Sequence, residues 1–300
     1  MNTSDKIQEV IRKHLASGGI ILGQCLVGGG SASNTLPTEL TEKDGFIDLS
    51  MADVAGGAIA VGAALAGKRP IYLVRFQGFQ WYNATTILNY AAKSKEMWGI
   101  PCPIFVRSLG TDSAGPVAGN CHHSIYTRMP GVFVCAPMTP GEYQRAWDHF
   151  MEHDDPLYVS EHRRSFPVDY EMSDVIHPKA DITIFAISAT RLDAIRAAEE
   201  CAKEGIVCNI FNLFWLKPFV VNEAMREALS NSTYGGLVLD ADHENGAVKS
   251  IGFDLMNASG KTVHVLALEE RTGGFAPYLD NVSPSPEKIH KKIKAILKHV

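Results

Sequence analysis

Apolar and polar positions follow two rhythms along this chain. Short apolar runs bounded by Gly, Pro or Ser, such as GIILGQCL, FIDLS, RPIYLVRF (69–76), PIFVRS (103–108), GVFVCAP and PLYVSE, read as buried strands. Longer stretches between them carry a helical period: residues 2–16, the small-residue run from Val54 to Gly67, NATTILNYAAKSKEMWG (83–99), and PGEYQRAWDHFMEHD with Pro at its start. The run from Val54 reads as a buried helix. Alternation of this kind implies an α/β fold, a parallel or mixed sheet covered by helices.

The rhythm pauses at FPVDYEMSDVIHPKA, which has two prolines and little periodicity, and then resumes. The second block reads DITIFAIS strand, ATRLDAIRAAEECAKEG helix stopped by Gly205, IVCNIFNL strand, NEAMREALSNS helix, GGLVLDAD strand, AVKSIGFDLMNAS helix, TVHVLAL strand and PEKIHKKIKAILKHV helix. Two domains are therefore predicted: 1–165, a linker at 166–180, and 181–300.

Composition narrows the partners. In 300 residues, 46% hydrophobic and 20% charged, the formal net charge is -5, so no clustered cationic surface is expected and nucleic acid is an improbable partner. Six cysteines are scattered without a C-x-x-C pair, which suits a reducing compartment and mostly buried thiols. The N-terminus is charged and helix-patterned rather than a signal sequence, and no apolar stretch reaches the ~18 residues of a membrane span. A cytoplasmic protein without membrane contact is the expectation.

Candidate chemistry is sparse when each motif is taken alone. Gly28-Gly29-Gly30 follows a strand but matches no nucleotide fingerprint, and reads as a mobile loop. Cys121-His122-His123 are adjacent, so they seldom point at one metal ion, and no spaced second pair completes a set. No G-x-S-x-G elbow occurs. Asp53 stands at the mouth of DLSMADVAGGAIAVG (48–62), where a helix cap is the simplest role. Against that stands RFQGFQWYN, in which Phe76, Phe79 and Tyr82 recur every three residues just after a strand, as if to surround a flat ligand.

These segments resemble a family: the pyrimidine-binding and C-terminal domains shared by transketolases and by beta subunits of thiamine diphosphate-dependent 2-oxoacid dehydrogenases. The resemblance runs nearly end to end, through DLSMADVAGGAIAVGAALAGKRPI, FQGF with ILNYAAKSKEMWG, and LALEERTGGFAPYLDN. It implies a carboxylate on N1′ of the cofactor's aminopyrimidine, promoting the imino tautomer; Asp53 is the matching position. Phe79 matches the pyrimidine-stacking aromatic, with Phe76 and Tyr82 lining the same pocket. His123 of CHHS, or His122 in its place, matches a histidine that contacts substrate.

Three departures accompany the match. Asp53 replaces the usual Glu and is one methylene shorter, roughly 1.5 Å of reach judged from C–C bonds. The loop from His123 to Pro130-Gly131 is shorter than in dehydrogenase beta subunits, and GQCLVGGG stands where a Gly-Glu-Asp-Val run is usual. His153 stands where the dehydrogenases often have an acid beside a structural potassium, and that ion is not predicted. In the second domain, Asp242, His243 and Glu244 form a polar group read as a solvated loop or subunit contact.

The Gly-Asp-Gly motif that anchors Mg²⁺ and diphosphate in such enzymes is missing. The resemblance therefore implies a cofactor shared with an alpha-type partner that binds Mg²⁺, pairing through the beta chains into an alpha2-beta2 assembly, and for a dehydrogenase a lipoyl acyltransferase. Three readings stay open: a beta-type subunit acting on a 2-oxoacid, the C-terminal half of a split transketolase, and a scaffold or regulatory subunit without catalysis.

Overall fold

The computed structural model describes residues 1–27, 32–113, 115, 117, 119–276 and 278–298, and divides into two compact units, 1–171 and 172–300. The Gly28-Gly29-Gly30 loop lies outside the described residues.

The first unit begins with α1 (Thr3–Ala16), whose Asn2 and Asp5 cap each other's backbone amides in a capping box. Its strands are β1 (Ile21–Gln24), β2 (Phe46–Leu49), β3 (Ile71–Val74), β4 (Phe105–Gly110), β5 (Phe133–Cys135) and β6 (Leu157–His162). They lie in the order β2-β1-β3-β4-β6-β5, every pair parallel. Parallel neighbours need crossovers. Helix α2 (Asp53–Leu65) carries the chain from β2 across β1 to β3, and α6 (Pro140–Glu152), capped by Thr139, carries it from β5 to β6.

After β3 the chain makes a 3₁₀ turn (Gln77–Phe79), enters α3 (Gln80–Thr86), passes a π-helical turn (Ile87–Ala91) and ends in α4 (Ala92–Trp98). The helix expected from residue 83 thus begins at 80, and Gly99 closes it with φ of +67°. A short α5 (Ser124–Thr127) precedes β5.

Helix α2 is only half the buried helix its composition predicts. Gly56, Gly57, Ala60, Val61 and Ala64 are buried, while Val54, Ile59 and Leu65 on the other side are 63%, 45% and 46% exposed. A helix apolar all round has no polar face to offer solvent, so burial of one side leaves an apolar side outward.

The second unit contains β7 (Ile182–Ile187), α7 (Thr190–Lys203), β8 (Cys208–Leu213), β9 (Trp215–Lys217), α8 (Glu223–Asn231), β10 (Gly236–His243), α9 (Ala247–Ser259), β11 (Val263–Leu268) and α10 (Pro286–Lys298). Strands β11-β10-β7-β8 form a parallel sheet. Ile289, Ile293 and Ile296 recur at helical spacing on α10 and fill one core with Ile184, Ile210 and Leu237. The three-residue β9 is too short to leave a periodic signal in the sequence. Five of the six cysteines are buried, and Cys25 is half-buried.

Inside the first unit, Arg107 of β4 and Glu161 of β6 form a two-pronged ion pair at 2.7 and 2.9 Å, with 0% and 2% of their side chains exposed. Thr35 accepts from Arg107 at 3.0 Å and Tyr143 donates to Glu161 at 3.0 Å. A charge left alone at such depth is costly. Replacing Glu161 by Ala is expected to lower the unfolding free energy by about 3–5 kcal/mol, with the double change Arg107→Met and Glu161→Leu recovering most of it. Urea midpoints check this, and an unshifted midpoint for Glu161→Ala contradicts it.

Candidate active site

In an open parallel sheet, ligands gather outside the carboxyl ends of the strands where the chain reverses its direction across the sheet. Here that reversal falls between β1 and β3: the chain runs outward from β1 to β2, then crosses back to β3. Gln24 ends β1, Asp53 opens the helix after β2, and Phe76 and Gln77 follow β3. Asp53 therefore stands where this rule expects a ligand.

Asp53 is the first helical residue rather than the cap. The cap position belongs to Ala52, and no side chain caps the helix. The carboxylate is instead held from below: Gln24 Nε2 donates to Oδ1 at 2.9 Å and Asn83 Nδ2 donates to the same oxygen at 3.5 Å. Asn83 also donates to the Phe79 carbonyl at 3.1 Å and accepts from the Tyr72 hydroxyl. Burial, and next the Asp53 charge, push the Tyr72 pKa up, so its hydroxyl stays a donor.

Gly56 and Gly57 make this contact possible. A β-carbon on Gly56 would lie 2.4 Å from the Tyr72 hydroxyl, and one on Gly57 would lie 2.5 Å from Thr86 Oγ1 and 2.9 Å from the Asn83 carbonyl oxygen. The paired glycines bring α2 against α3 and leave room for the tyrosine.

Above Asp53 opens a shallow cleft of about 510 Å³ lined by Ala52, Asp53, Val54, Ala55, Ala58, Tyr82 and Thr86. Of the three candidate aromatics, Tyr82 lines this cleft and is 57% exposed. Phe76 and Phe79 face each other, ring centres 6.3 Å apart and tilted by 35°. The 3₁₀ turn explains the split: with three residues per turn Phe76 and Phe79 fall on one side, and the following α-helix rotates Tyr82 away from them.

The histidines part company as well. His123 is 0% exposed and its Nδ1 lies 3.1 Å from Ser160 Oγ. His122 is half-buried, its ring edge-on to Trp81 with centres 6.4 Å apart. Both are fastened to one side chain: Gln77, 1% exposed, accepts from the His122 amide at 2.7 Å and donates to Ser160 Oγ at 2.9 Å. Among the described residues, no group of three or more His, Cys, Asp or Glu side chains is placed to hold a metal ion.

Three buried amides accompany the aromatics. Gln77, Gln80 and Asn83 recur every three residues, one position behind the aromatics, and are 1%, 0% and 0% exposed. The signal was present in RFQGFQWYN. Polar residues at helical spacing beside a strand end, on the face that must enter the core, mark a buried hydrogen-bond network.

The family described as "Transketolase, pyrimidine binding domain" matches residues 2–168, and "Transketolase, C-terminal domain" matches residues 172–270. The chain belongs to the transketolase pyrimidine-binding family. It is similar to the 2-oxoisovalerate dehydrogenase subunit beta of Bacillus subtilis, 29% identical over 229 residues that cover 69% of this chain and 68% of that one. It is also similar to the acetoin:2,6-dichlorophenolindophenol oxidoreductase subunit beta of Cupriavidus necator, 26% identical over 241 residues covering 71% and 70%.

Among solved structures, a split-gene transketolase described as an inactive beta4 tetramer superposes with TM-score 0.77 at 15% identity, covering 99% of both chains. Transketolase of Campylobacter jejuni superposes with TM-score 0.76 at 18% identity, covering 98% of this chain and 46% of that one. At such identities these two structures speak to the pyrimidine-binding family's fold alone. No helix among the described residues is long and apolar enough to cross a membrane.

The close approach of α2 to α3 has a measurable consequence. Gly57→Ala is expected to destabilise the chain by about 1–3 kcal/mol through overpacking. Gly62→Ala, where nothing lies within 4 Å of the added carbon, is expected to be neutral or stabilising. Denaturant unfolding of the pair checks this, and equal effects at both positions contradict the close approach.

Proposed function

We propose that this chain is the beta-type subunit of a two-chain thiamine diphosphate enzyme that decarboxylates a 2-oxoacid and passes on the acyl or aldehyde unit. The observation that carries the reading is Asp53: a half-buried carboxylate at the sheet's reversal point, one oxygen held by two amides, in a cleft walled by Tyr82 and small side chains. Its residues fit an aminopyrimidine, which needs a hydrogen-bonding carboxylate on a ring nitrogen and flat apolar surface beside it. Relatives at 29% and 26% identity, named as beta subunits of enzymes acting on 2-oxoisovalerate and acetoin, support it further. Likeness to a split transketolase supports the fold and does not favour ketol transfer over this reading.

Thiamine diphosphate, when bound, supplies the electron sink that makes loss of CO₂ from a 2-oxoacid feasible. What this chain contributes is position and protonation. Asp53 would hold a proton toward the ring nitrogen of the aminopyrimidine, and Tyr82 with Ala52, Ala55 and Ala58 would form the wall beside the ring. His122 is the better placed of the two histidines to reach substrate, because His123 has no exposed surface. Gln77 keeps both histidines on the scaffold.

The diphosphate and Mg²⁺ are assigned to an alpha-type partner. The outward apolar side of α2, with Val54 and Ile59 exposed, and the exposed Trp81, Tyr82, Tyr90 and Met97 of the following helices, at 63%, 57%, 54% and 60%, support burial against other chains. An alpha2-beta2 assembly, a lipoyl acyltransferase as acceptor, and a cytoplasmic setting complete the proposal.

Co-expression with the cognate alpha-type chain, followed by assay on 2-oxoacids and on ketose phosphates with Mg²⁺ and thiamine diphosphate, tests it. Turnover of a 2-oxoacid is expected, with Asp53→Ala lowering kcat by about 10²–10⁴-fold and Asp53→Glu retaining activity. Full activity of Asp53→Ala removes Asp53 from the chemistry. Turnover of ketose phosphates alone selects the split transketolase. Tight binding of thiamine diphosphate and Mg²⁺ by the isolated chain overturns the shared site.

A further inference from the structure

The hydrogen bonds beneath Asp53 carry more than a description of its surroundings. Gln24 is 9% exposed, Asn83 is 0% and Tyr72 is 2%, so none of the three is freely exchanged with solvent. Each amide's orientation is fixed by a partner that accepts only. The Phe79 carbonyl cannot donate, so Asn83 turns its Nδ2 toward it and toward Asp53, and its Oδ1 toward the Tyr72 hydroxyl. A carboxylate likewise accepts only, so Gln24 presents its Nε2. Both donors converge on the same atom, Oδ1. Among the described residues Oδ2 has no hydrogen-bond partner.

A carboxylate oxygen has two lone pairs, and both on Oδ1 face N–H groups. A hydrogen placed on Oδ1 would meet those N–H hydrogens head on. The proton of a neutral Asp53 therefore belongs on Oδ2, the oxygen left to the cleft.

We infer that Gln24 is a positioning residue for Asp53, acting with Asn83 and Tyr72 to pin Oδ1 and to restrict the carboxyl proton to Oδ2. This inference rests on the reading of Asp53 as the group that meets the cofactor's ring, and it deepens that reading by naming the atom at which the proton is held and the residues that put it there. It also gives the shorter acid a physical setting. Asp has one fewer torsion to fix than Glu, and two amides on one oxygen fix what remains. Gln24 lies in GQCL at the end of β1, in the segment where the family resemblance fails; a carboxylate at that position would have to share a proton with Asp53 instead of donating to it.

Tyr72 from β3, held neutral by its burial, and Tyr82 from α3, which lines the same cleft, face Asp53, while β1 presents the Gln24 amide and α3 the Asn83 amide. A change at Gln24 should therefore be read directly at the Asp53 carboxyl.

The test uses the full-length chain labelled with ¹³C at the aspartate carboxyls, with the Asp53 signal identified by its loss in Asp53→Asn, and needs no cofactor. Gln24→Met keeps length and removes the donor, and is expected to displace the Asp53 carboxyl signal at neutral pH from its wild-type position, because the carboxylate loses its 2.9 Å hydrogen bond. Gln24→Glu, isosteric with the original side chain, is expected to displace it further, because two carboxylates then share the site. Tyr72→Phe frees Asn83 and is expected to displace the signal less than either.

An Asp53 signal unmoved in both Gln24 variants, with thermal melting showing both folded, overturns the inference. So does an equal displacement in a variant of the buried but uninvolved Gln80. In the assembly with the alpha-type chain, Gln24→Glu is expected to lower kcat with little change in KM. If the Asp53 signal moves but Asp53→Ala leaves 2-oxoacid turnover intact, the positioning of Asp53 stands and the functional reading is what fails.

Discussion

Arg107 and Glu161 meet in the driest part of the first unit, and the candidate site depends on them although they do not enter it. The two lie on neighbouring parallel strands in a register that sets Arg107 opposite Val159 and Leu109 opposite Glu161. Side chains alternate between the faces of a sheet, so a slip of one residue between β4 and β6 would separate the pair and bury two lone charges. That penalty fixes the register. The intervening residues, Ser108 opposite Ser160, then have only one place to be, on the other face, where Ser160 meets both Gln77 and His123. An ion pair of this kind adds little net stability over an apolar substitute. Its contribution is that one alignment of the sheet is far better than the next.

From that alignment the site follows in two steps. Gln77 bonds to Ser160 and to the backbone carbonyls of Ser108 and Glu161, which ties the turn after β3 to the ends of β4 and β6. The turn in turn sets the start of α3, and α3 sets Asn83 under Asp53. Buried amides suit this work because each can donate and accept at once, so a chain of them transmits orientation from one element to the next without adding charge.

Much of this was legible in the sequence, and the parts that were not share a cause. Strands from Ile71, Phe105 and Leu157 announce themselves by the apolar residues that open them, IYLV, FV and LYV, since a strand buried on both faces is largely apolar. Asp53 was visible as the single acid leading a run of small residues. Gln24, Gln77 and Asn83 were not, since a buried amide looks like any exposed one until its partners are known, and those partners lie 29, 83 and 30 residues away in the chain. The spatial split among the aromatics was hidden by a related cause. A spacing of three is one side of a 3₁₀ turn and almost one side of an α-helix, and the chain changes from one to the other at Phe79.

Helix α2 joins the two halves of the problem. Gly56 and Gly57 are needed inward, where Tyr72 and Thr86 leave no room for a β-carbon, and Val54, Ala55 and Ala58 face outward, where an apolar wall borders Asp53. A helix so poor in side chains gains little from its own packing, and Gly56 and Gly57 each cost about 1 kcal/mol relative to Ala. The inward side is covered by the chain itself, and the outward side leaves Val54 and Ile59 open. The same run of small residues that lets the amides reach Asp53 from below thus leaves its other oxygen at an open apolar surface.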